Sequence, residues 1–224
     1  MSTAVKERPI LFSAPMVRAI LSGDKTQTRR IEKRLDPKKG AVTTDIHGKP
    51  MRSVWAYGGP ILDCPYGQPG DRLWVREAFA EEYDYCDHPE MPGAPTEHFH
   101  YAWHYRADGE PKRDQLDGFL SSWKPSIHMP RIASRIQLEI TGVRVEHLQE
   151  ISEADAVSEG IRISSKVRQS ETCYGICECA LPDGLTHFND SAYDLYRKLW
   201  EQINGPGSWQ ANPWVWVVEF RRIA

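Results

Sequence analysis

The sequence predicts an α+β fold in which a small twisted β-barrel carries two or three helices on its outside. Three observations lead to this prediction. Short apolar runs with strand-like alternation occur near both ends and in the middle of the chain, apolar residues recur at helical spacing in only a few segments, and Gly or Pro separates these segments. In chain order the elements are β, α, β, a β-rich middle, then α, α and β. With 224 residues, 40% of them hydrophobic, we expect one domain over residues 1–224.

The first elements are a strand, a helix and a second strand. Residues 10–12 form a short apolar run, which predicts a strand. Ser13 is a suitable helix cap, Pro15 is tolerated in a first helical turn, and apolar residues follow at helical spacing up to Leu21. Gly23 is a suitable stop. From Thr26 onward the chain is β-branched and basic, which favours a turn that runs into a short strand.

The middle of the chain combines strands with a long insertion. Residues 35–70 are rich in Gly, Pro and Asp and predict a connection with a hairpin at 51–57. A strand is expected at 72–79, directly after the Gly-Asp turn signal at 70–71. Residues 82–130 have the composition of an insertion, with one strand at 98–106. Strong strand alternation resumes at 131–145.

Two helices and a closing strand are predicted for the C-terminal part. Ser152 begins a short helix, acidic residues follow in its first turn, and Gly160 ends it. Residues 163–188 form a second irregular insertion. Asn189 or Asp190 then caps a helix that runs to about Ile203, and the apolar run at 214–222 predicts a final strand.

Composition excludes several classes of protein. No apolar run approaches the roughly 20 residues that span a bilayer, and the N-terminus lacks the apolar region of a secretory signal, so we expect a cytoplasmic protein without a membrane partner. A net charge of −3 argues against general attraction to nucleic acid but allows a local basic patch. Five Cys, an odd number, argue against a disulfide framework.

The most informative segment is Gly23-Asp24-Lys25-Thr26-Gln27-Thr28-Arg29-Arg30. It places an ammonium, two hydroxyls and two guanidinium groups within six positions, a polar density that few core elements tolerate. On a strand, Thr26, Thr28 and Arg30 share one face, and Gln27 and Arg29 share the other. The segment is therefore either a solvated turn or a site that holds an anionic or polar ligand.

This segment, the strand at 70–75 and the helix at 152–160 together resemble the ASCH-domain proteins, a branch of the PUA-like superfamily. The resemblance is closest to the longer ASCH-like proteins of bacteriophages and prophages, which also share the character of residues 123–130 and 204–209. It implies a PUA-like small β-barrel with flanking helices, interrupted here by irregular insertions at about 82–130 and 163–188. PUA-like domains commonly bind RNA or modified bases in a cleft, so the implied partner is a nucleoside, RNA or a modified base.

The resemblance also implies an activity. One class of small ASCH enzymes hydrolyses N4-acetylcytidine, and its catalytic residues match Lys25, Thr28 and Glu159, with Arg30 as a supporting residue. Amide hydrolysis needs a nucleophile, a base and a group that stabilises the oxyanion. Thr28 is the candidate nucleophile, and Lys25 is the candidate base if burial or a neighbouring cation such as Arg29 lowers its pKa. The implied function is an amidohydrolase that removes an N4-acyl group from cytidine or a related nucleoside and requires no cofactor.

The candidate substrate-binding residues complete this hypothesis. They are Thr26, Arg29, Arg30, Trp123 and Trp209, the two Trp residues because they lie in irregular segments beside Pro and Gly. Two alternatives remain open at this stage. In the first, the same cleft binds RNA or a modified base without catalysing a reaction. In the second, the protein is a phage-encoded ribonuclease.

Two groups of residues raise the question of a metal. His98, His100 and His104 share one face of a regular strand, as metal-binding His residues often do. Cys173, Cys177 and Cys179, with His187 nearby, resemble part of a zinc site, but their spacing is not that of a standard zinc knuckle. We interpret the His residues as a solvated face. The Cys residues are either part of a zinc site, which would need a fourth ligand such as His187 or Cys86, or three reduced thiols, and we assign no metal site.

Overall fold

The computed structural model of the chain describes residues 4–44, 50–56, 59, 61–86, 97–164, 173–175 and 191–224. The strands are β1 (Glu7–Leu11), β2 (Gln27–Ile31), β3 (Ala41–Thr44), β4 (Pro50–Ala56), β5 (Ile61–Asp63), β6 (Arg72–Arg76), β7 (Phe79–Cys86), β8 (Glu97–Tyr105), β9 (Phe119–Leu120), β10 (Gln137–His147), β11 (Arg162–Ser164), β12 (Cys173–Gly175) and β13 (Trp214–Arg222). The α-helices are α1 (Ala14–Leu21), α2 (Glu153–Ser158) and α3 (Ala192–Asn204). The fold is therefore α+β, with sheets dominating.

A five-stranded sheet forms the centre, in the order β1-β6-β10-β13-β2. The pair β1–β6 is parallel, and the other pairs are antiparallel. In the described part of the chain the edge strands β1 and β2 do not pair with each other, so the closed barrel expected from the sequence is not found. The strand β10 bends at a bulge beside Gly142, where an added Cβ would lie 2.4 Å from Glu219 Oε2.

The strand β13 is buried on both faces, which explains its uninterrupted apolar sequence. Trp216 and Val218 face the larger core, which the small sheet β3-β4-β5 joins through Val54 and Leu62. Val215 and Val217 face a second core formed with α2 and α3. The helices α2 and α3 therefore pack against one face of the central sheet.

Most of the predicted helix ends agree with the structure, and one cap differs. The predicted N-terminal helix and the predicted helix after Ser152 are confirmed, and Gly23 and Gly160 end them at φ values of +83° and +102°. The last helix is capped by Ser191, whose hydroxyl accepts a hydrogen bond from Asp194 N at 3.1 Å. The predicted caps, residues 189 and 190, lie outside the described residues.

The β-rich middle contains more sheet than the sequence indicated. The predicted hairpin at 51–57 is wrong, because this segment forms the single strand β4, which pairs with β3 on one side and β5 on the other. The predicted strand at 131–145 begins only at Gln137, because residues 131–133 form a 3₁₀ turn after Pro130. The insertion at 82–130 contributes its own sheet, β8-β7-β9. Of the insertion at 163–188, only residues 163–164 and 173–175 are described.

Within the described ranges, no helix has the length and apolar character needed to cross a bilayer.

Candidate functional site

The candidate site lies where the start of β2 meets the end of α2. An isolated β-bridge joins Lys25 to Glu159, and Thr26 N donates to Ser158 O at 2.9 Å. The turn after α1 holds Lys25 in this position, because Lys25 N donates to Ala19 O at 3.0 Å. Gly160 lies so close to this turn that an added Cβ would be 3.3 Å from Ala19 Cβ and 3.4 Å from Lys25 Cβ. The backbone therefore brings together two residues that are 134 positions apart.

Lys25 and Glu159 form a buried pair at the centre of the site. Lys25 is 3% exposed and Glu159 is 6% exposed. Lys25 Nζ donates to Glu159 Oε2 at 2.7 Å and to the backbone oxygen of the same residue at 2.9 Å. Both of the hydrogen bonds that Nζ makes to described residues therefore end on Glu159.

Arg29 lies behind this pair and binds three carboxylates. Its guanidinium contacts Glu159 Oε1 at 3.2 Å, Glu146 Oε1 at 2.6 Å and Asp155 Oδ2 at 3.3 Å. Burial alone would lower the pKa of Arg29, but the carboxylates of Glu159 and Glu146, with Tyr196 nearby, raise it above its ordinary value. Arg29 therefore remains charged and serves as a counter-ion of Glu159.

The pKa of Lys25 is lowered from its ordinary value of 10.5. Burial is the largest cause, because it removes the ammonium from water. The carboxylate of Glu159 opposes this effect, and the positive charges of Arg30 and Arg29 reinforce it. The sequence-based hypothesis required burial or a neighbouring cation to lower this pKa, and both influences are present.

A cavity of about 250 Å³ opens beside the pair, between β2, α1 and α3. Lys25, Thr28 and Glu159 all line it. Thr28 is 3% exposed, and its hydroxyl makes no hydrogen bond to any residue that the structure describes. A hydroxyl without a protein partner is available to a ligand in the cavity.

Arg30 and Lys33 bring positive charge to the cavity that no acidic side chain of the described residues pairs with. Arg30 donates to the backbone oxygen of Leu11 at 2.6 Å, and its guanidinium lies 5.3 Å from the ring centroid of Phe12. Neither Arg30 nor Lys33 forms an ion pair with a described residue, although both line the cavity. An anionic or strongly polar ligand would be favoured at this end.

The cavity wall also contains three aromatic residues that the sequence analysis did not select: Tyr66, Tyr196 and Trp200. Burial raises the pKa of Tyr196 well above its ordinary value, so its phenol stays protonated. Trp200 Nε1 is buried without a hydrogen-bond partner in the described chain. Tyr196 and Trp200 lie one helical turn apart on α3, beside the apolar stripe that the sequence does reveal. Their position beside this apolar stripe was the only feature of the sequence that could have indicated a role in the cavity.

Three sequence-selected residues lie outside this cavity. Thr26 is exposed at the beginning of β2. Trp123 lies in the 82–130 insertion, where Trp123 Nε1 donates to Glu110 Oε2 at 3.0 Å. Trp209 is buried in the second core, with its ring 5.3 Å from that of Tyr193 and 6.3 Å from that of Tyr196. Trp209 therefore packs behind a cavity wall instead of forming one.

The expected common face of His98, His100 and His104 is interrupted by a bulge. The register between β7 and β8 shifts between Glu82 and Tyr83, so His100 and His104 lie on opposite faces of the strand. His100 Nδ1 lies 3.3 Å from Glu81 Oε1, and His104 Nε2 lies 2.6 Å from Glu82 Oε2. The side chain of His98 lies outside the described residues.

No cluster of three or more His, Cys, Asp or Glu side chains with metal-binding geometry occurs among the described residues. Cys173 begins β12, but its side chain lies outside the described residues, as do Cys177, Cys179 and His187.

Comparison with protein-family models, with curated proteins and with solved structures gives no match at any of the three levels.

Proposed function

We propose that this cavity hydrolyses the amide bond of an N4-acylated cytosine nucleoside or a closely related modified base, with Lys25 as the general base. The observation that carries the proposal is the hydrogen bonding of Lys25. A neutral amine has two N–H donors and one lone pair. Both contacts from Nζ end on Glu159, so a neutral Lys25 keeps its lone pair available to accept a proton.

The surrounding charges support the neutral form of Lys25. A lysine paired with a carboxylate is ordinarily an ammonium, but here Arg29 also binds Glu159 and remains charged. The carboxylate therefore has a counter-ion even when Lys25 is neutral. Burial lowers the pKa of Lys25, which is the direction that a general base requires.

The reaction has two steps, formation of an acyl ester on Thr28 and hydrolysis of that ester. Lys25 Nζ accepts the proton of the Thr28 hydroxyl while Thr28 Oγ1 attacks the amide carbon, and Arg30 stabilises the oxyanion. The C–N bond then breaks, Nζ returns the proton to the leaving N4 nitrogen, and an acyl ester remains on Thr28. Nζ next takes a proton from water, whose oxygen attacks the ester carbon; the bond from that carbon to Thr28 Oγ1 breaks, Nζ returns the proton to Oγ1, and a carboxylic acid is released. Glu159 orients Nζ throughout.

The proposed substrate class comes from the resemblance to ASCH-domain amidohydrolases, which includes the motif that bears Lys25, Thr28 and Arg30. It also implies a PUA-like arrangement of the central sheet. The open order β1-β6-β10-β13-β2 with the accessory sheet β3-β4-β5 is compatible with a small, strongly curved β-rich fold of that kind. Tyr66, Tyr196 and Trp200 supply aromatic surface for a base.

The test is release of cytidine from N4-acetylcytidine by the purified protein, followed by chromatography. We expect Lys25→Ala and Thr28→Ala to lower kcat by 100-fold or more, since each removes a group that participates in the chemistry. Lys25→Arg should be equally inactive, because a guanidinium cannot become neutral at ordinary pH.

The matched control is Lys38→Ala, which removes an exposed lysine of the loop after β2. It should retain full turnover. Circular dichroism and thermal unfolding show whether each inactive variant is folded. Undiminished turnover in folded Lys25→Ala would contradict the role of Lys25, and no turnover by the unmodified protein would contradict the proposed reaction.

A second candidate function is recognition of a modified nucleotide or RNA without chemistry. The observation that favours it is the pair of cavity cations, Arg30 and Lys33, which have no acidic partner among the described residues. A hydrolase acting on an uncharged nucleoside does not need both. A reader of nucleotides would use them to hold a phosphate.

This alternative predicts binding that weakens with salt. The affinity for a short single-stranded RNA, measured by fluorescence anisotropy between 50 and 200 mM salt, should fall as contacts to phosphates are screened, and Arg30→Ala should reduce the salt slope by about one. Affinity that is independent of salt, or absent at low salt, would argue against it.

A further inference from the structure

A second cavity, of about 230 Å³, adjoins the proposed active site between α1 and α3. We call this second cavity the annex. It shares four lining residues with the first cavity: Met16, Glu159, Leu199 and Ile203. Its other walls include Pro15, Ala19 and Gly160.

The two cavities differ sharply in chemistry. The first contains four cationic side chains: Lys25, Arg29, Arg30 and Lys33. None of them lines the annex, where Glu159 is the one charged residue among the described walls. Met16, Ala19 and Leu199 make the annex mainly apolar, with Ser13 and Gln202 as its polar residues. Glu159 therefore lies at the junction between a polar and an apolar compartment.

We propose that the annex binds the hydrocarbon chain of the acyl group, so that the preferred substrate carries an acyl chain of about four to six carbons instead of acetyl. This inference rests on the proposed function and names its substrate class. The acyl carbon then lies beside Lys25 and Thr28, the chain extends between α1 and α3, and the base and sugar occupy the cationic compartment.

The size of the annex argues for a chain longer than acetyl. An engineered apolar cavity of about 150 Å³ stays dry and binds benzene, a six-carbon ligand. The annex is larger, at about 230 Å³. The methyl group of an acetyl substrate would leave most of this apolar wall without contacts, and that contact is the source of hydrophobic binding energy.

The annex participates in no bond-making step. The amide C–N bond breaks, a hydroxyl from water joins the acyl carbon and a proton joins the amine, as for acetyl. The chain contributes only binding energy, and contact kept through the transition state raises kcat/KM.

The experiment compares N4-acetyl-, N4-butyryl- and N4-hexanoylcytidine. Burying one methylene is worth about fourfold in binding, so we expect kcat/KM to rise about fourfold for each added methylene that fits. Gln202 is exposed and lines the annex but not the first cavity, so Gln202→Trp narrows the annex without touching the Lys25 turn. It should reduce turnover of the hexanoyl substrate at least tenfold while the acetyl substrate is cleaved normally. Met16→Ala widens the annex and should shift the preference toward longer chains.

The matched control is Ile132→Ala, which shortens an apolar residue that is 83% exposed and lies outside both cavities. It should leave the order of the three substrates unchanged. Thermal unfolding of Gln202→Trp excludes loss of the fold as the reason for its effect, and Met16→Ala, at a half-buried position, gives an independent test.

Calorimetric binding of the same three compounds separates the two proposals. If acetylcytidine is cleaved but kcat/KM does not rise for the longer chains, the annex proposal is wrong and the proposed hydrolase activity is supported. Tighter binding of hexanoylcytidine that is weakened by Gln202→Trp, without cleavage of any compound, would support the annex as a ligand site and overturn the hydrolase. Neither binding nor cleavage of any compound would overturn both.

Discussion

At the residue scale, the charge of Lys25 depends on which neighbours compete for Glu159. Lys25 and Arg29 both contact this carboxylate, at 2.7 and 3.2 Å. Arg29 also binds Glu146 and Asp155, and Arg144 contacts both of those carboxylates from the far side. A guanidinium keeps its proton far more tightly than an amine does, so Arg29 stays charged. Burial therefore lowers the pKa of Lys25 and favours loss of the Lys25 proton.

The first prediction concerns the pKa of Lys25 in Glu159→Gln. The carboxylate of Glu159 raises this pKa, while burial and the two arginines lower it. Removing the negative charge should therefore lower the pKa of Lys25 further. A ¹⁵N NMR titration of Nζ measures it directly, with exposed Lys38 as the internal reference, and does not depend on any activity. A midpoint that stays or rises would mean that Glu159 does not determine the charge of Lys25.

At the element scale, Glu32 anchors the end of β2 to β13. Glu32 Oε2 accepts from Trp216 Nε1 at 2.7 Å, and Glu32 Oε1 accepts from Arg34 N and Arg34 Nε, both at 2.8 Å. Burial alone would raise the pKa of Glu32, but the hydrogen bonds from Arg34 and Trp216 outweigh it and lower the pKa to about 2. The strand that bears Thr28 and Arg30 is thereby held in register at its far end.

The second prediction is that Glu32→Gln lowers the free energy of unfolding by up to about 3 kcal/mol at pH 7. The folded-state pKa of about 2 lies below the ordinary value of 4.5, so this stability is fully present above pH 4.5 and is lost as the pH falls toward 2. Urea unfolding at several pH values should show the variant and the unmodified protein converging in acid.

The control for this prediction is Glu7→Gln. Glu7 forms an ion pair with Arg131 at the surface, with side chains 37% and 40% exposed. Exposed pairs contribute about 1 kcal/mol or less. A loss in Glu32→Gln as small as that in Glu7→Gln, or one that does not change with pH, would contradict the anchoring role of Glu32.

At the scale of the whole molecule, the strand β13 joins the two cores. Trp216 and Val218 belong to the core under the small sheet, and Val215 and Val217 belong to the core under α2 and α3. Neither core can lose its packing without exposing one face of the same strand. This coupling favours cooperative unfolding despite the size of the chain.

The third prediction is one unfolding transition for both cores. Leu138 and Leu195 are fully buried in the first and second core, and replacing either with Ala should cost about 2–5 kcal/mol. Each variant should shift the whole transition, with tryptophan fluorescence and far-ultraviolet circular dichroism coinciding. If fluorescence and circular dichroism reported different unfolding midpoints, or if a substitution shifted the midpoint of only one of these signals, the two cores would unfold independently.

Local signals account for the parts of the fold that the sequence predicted. The helix α1 was predictable because Ser13, Pro15 and Gly23 give start and stop signals within one short segment. The hairpin expected at 51–57 was wrong because β4 finds partners on both sides, and pairing of that kind is not encoded in local alternation. The bulge in β8 likewise separates His100 from His104, although their spacing placed them on one face.

By itself, the sequence determined the α+β class, the positions of the three helices and of β13, and the polar segment at 23–30, because caps, turns and hydrophobic periodicity act over a few residues. The tertiary structure alone decided that β1 and β2 do not pair in the described part of the chain, that Tyr196 and Trp200 form a cavity wall, and that Arg29 binds three carboxylates. The contacts of Arg29 with Glu146 and Glu159 join residues 117 and 130 positions apart, and burial lowers the pKa of Lys25 only after those distant elements have packed around it.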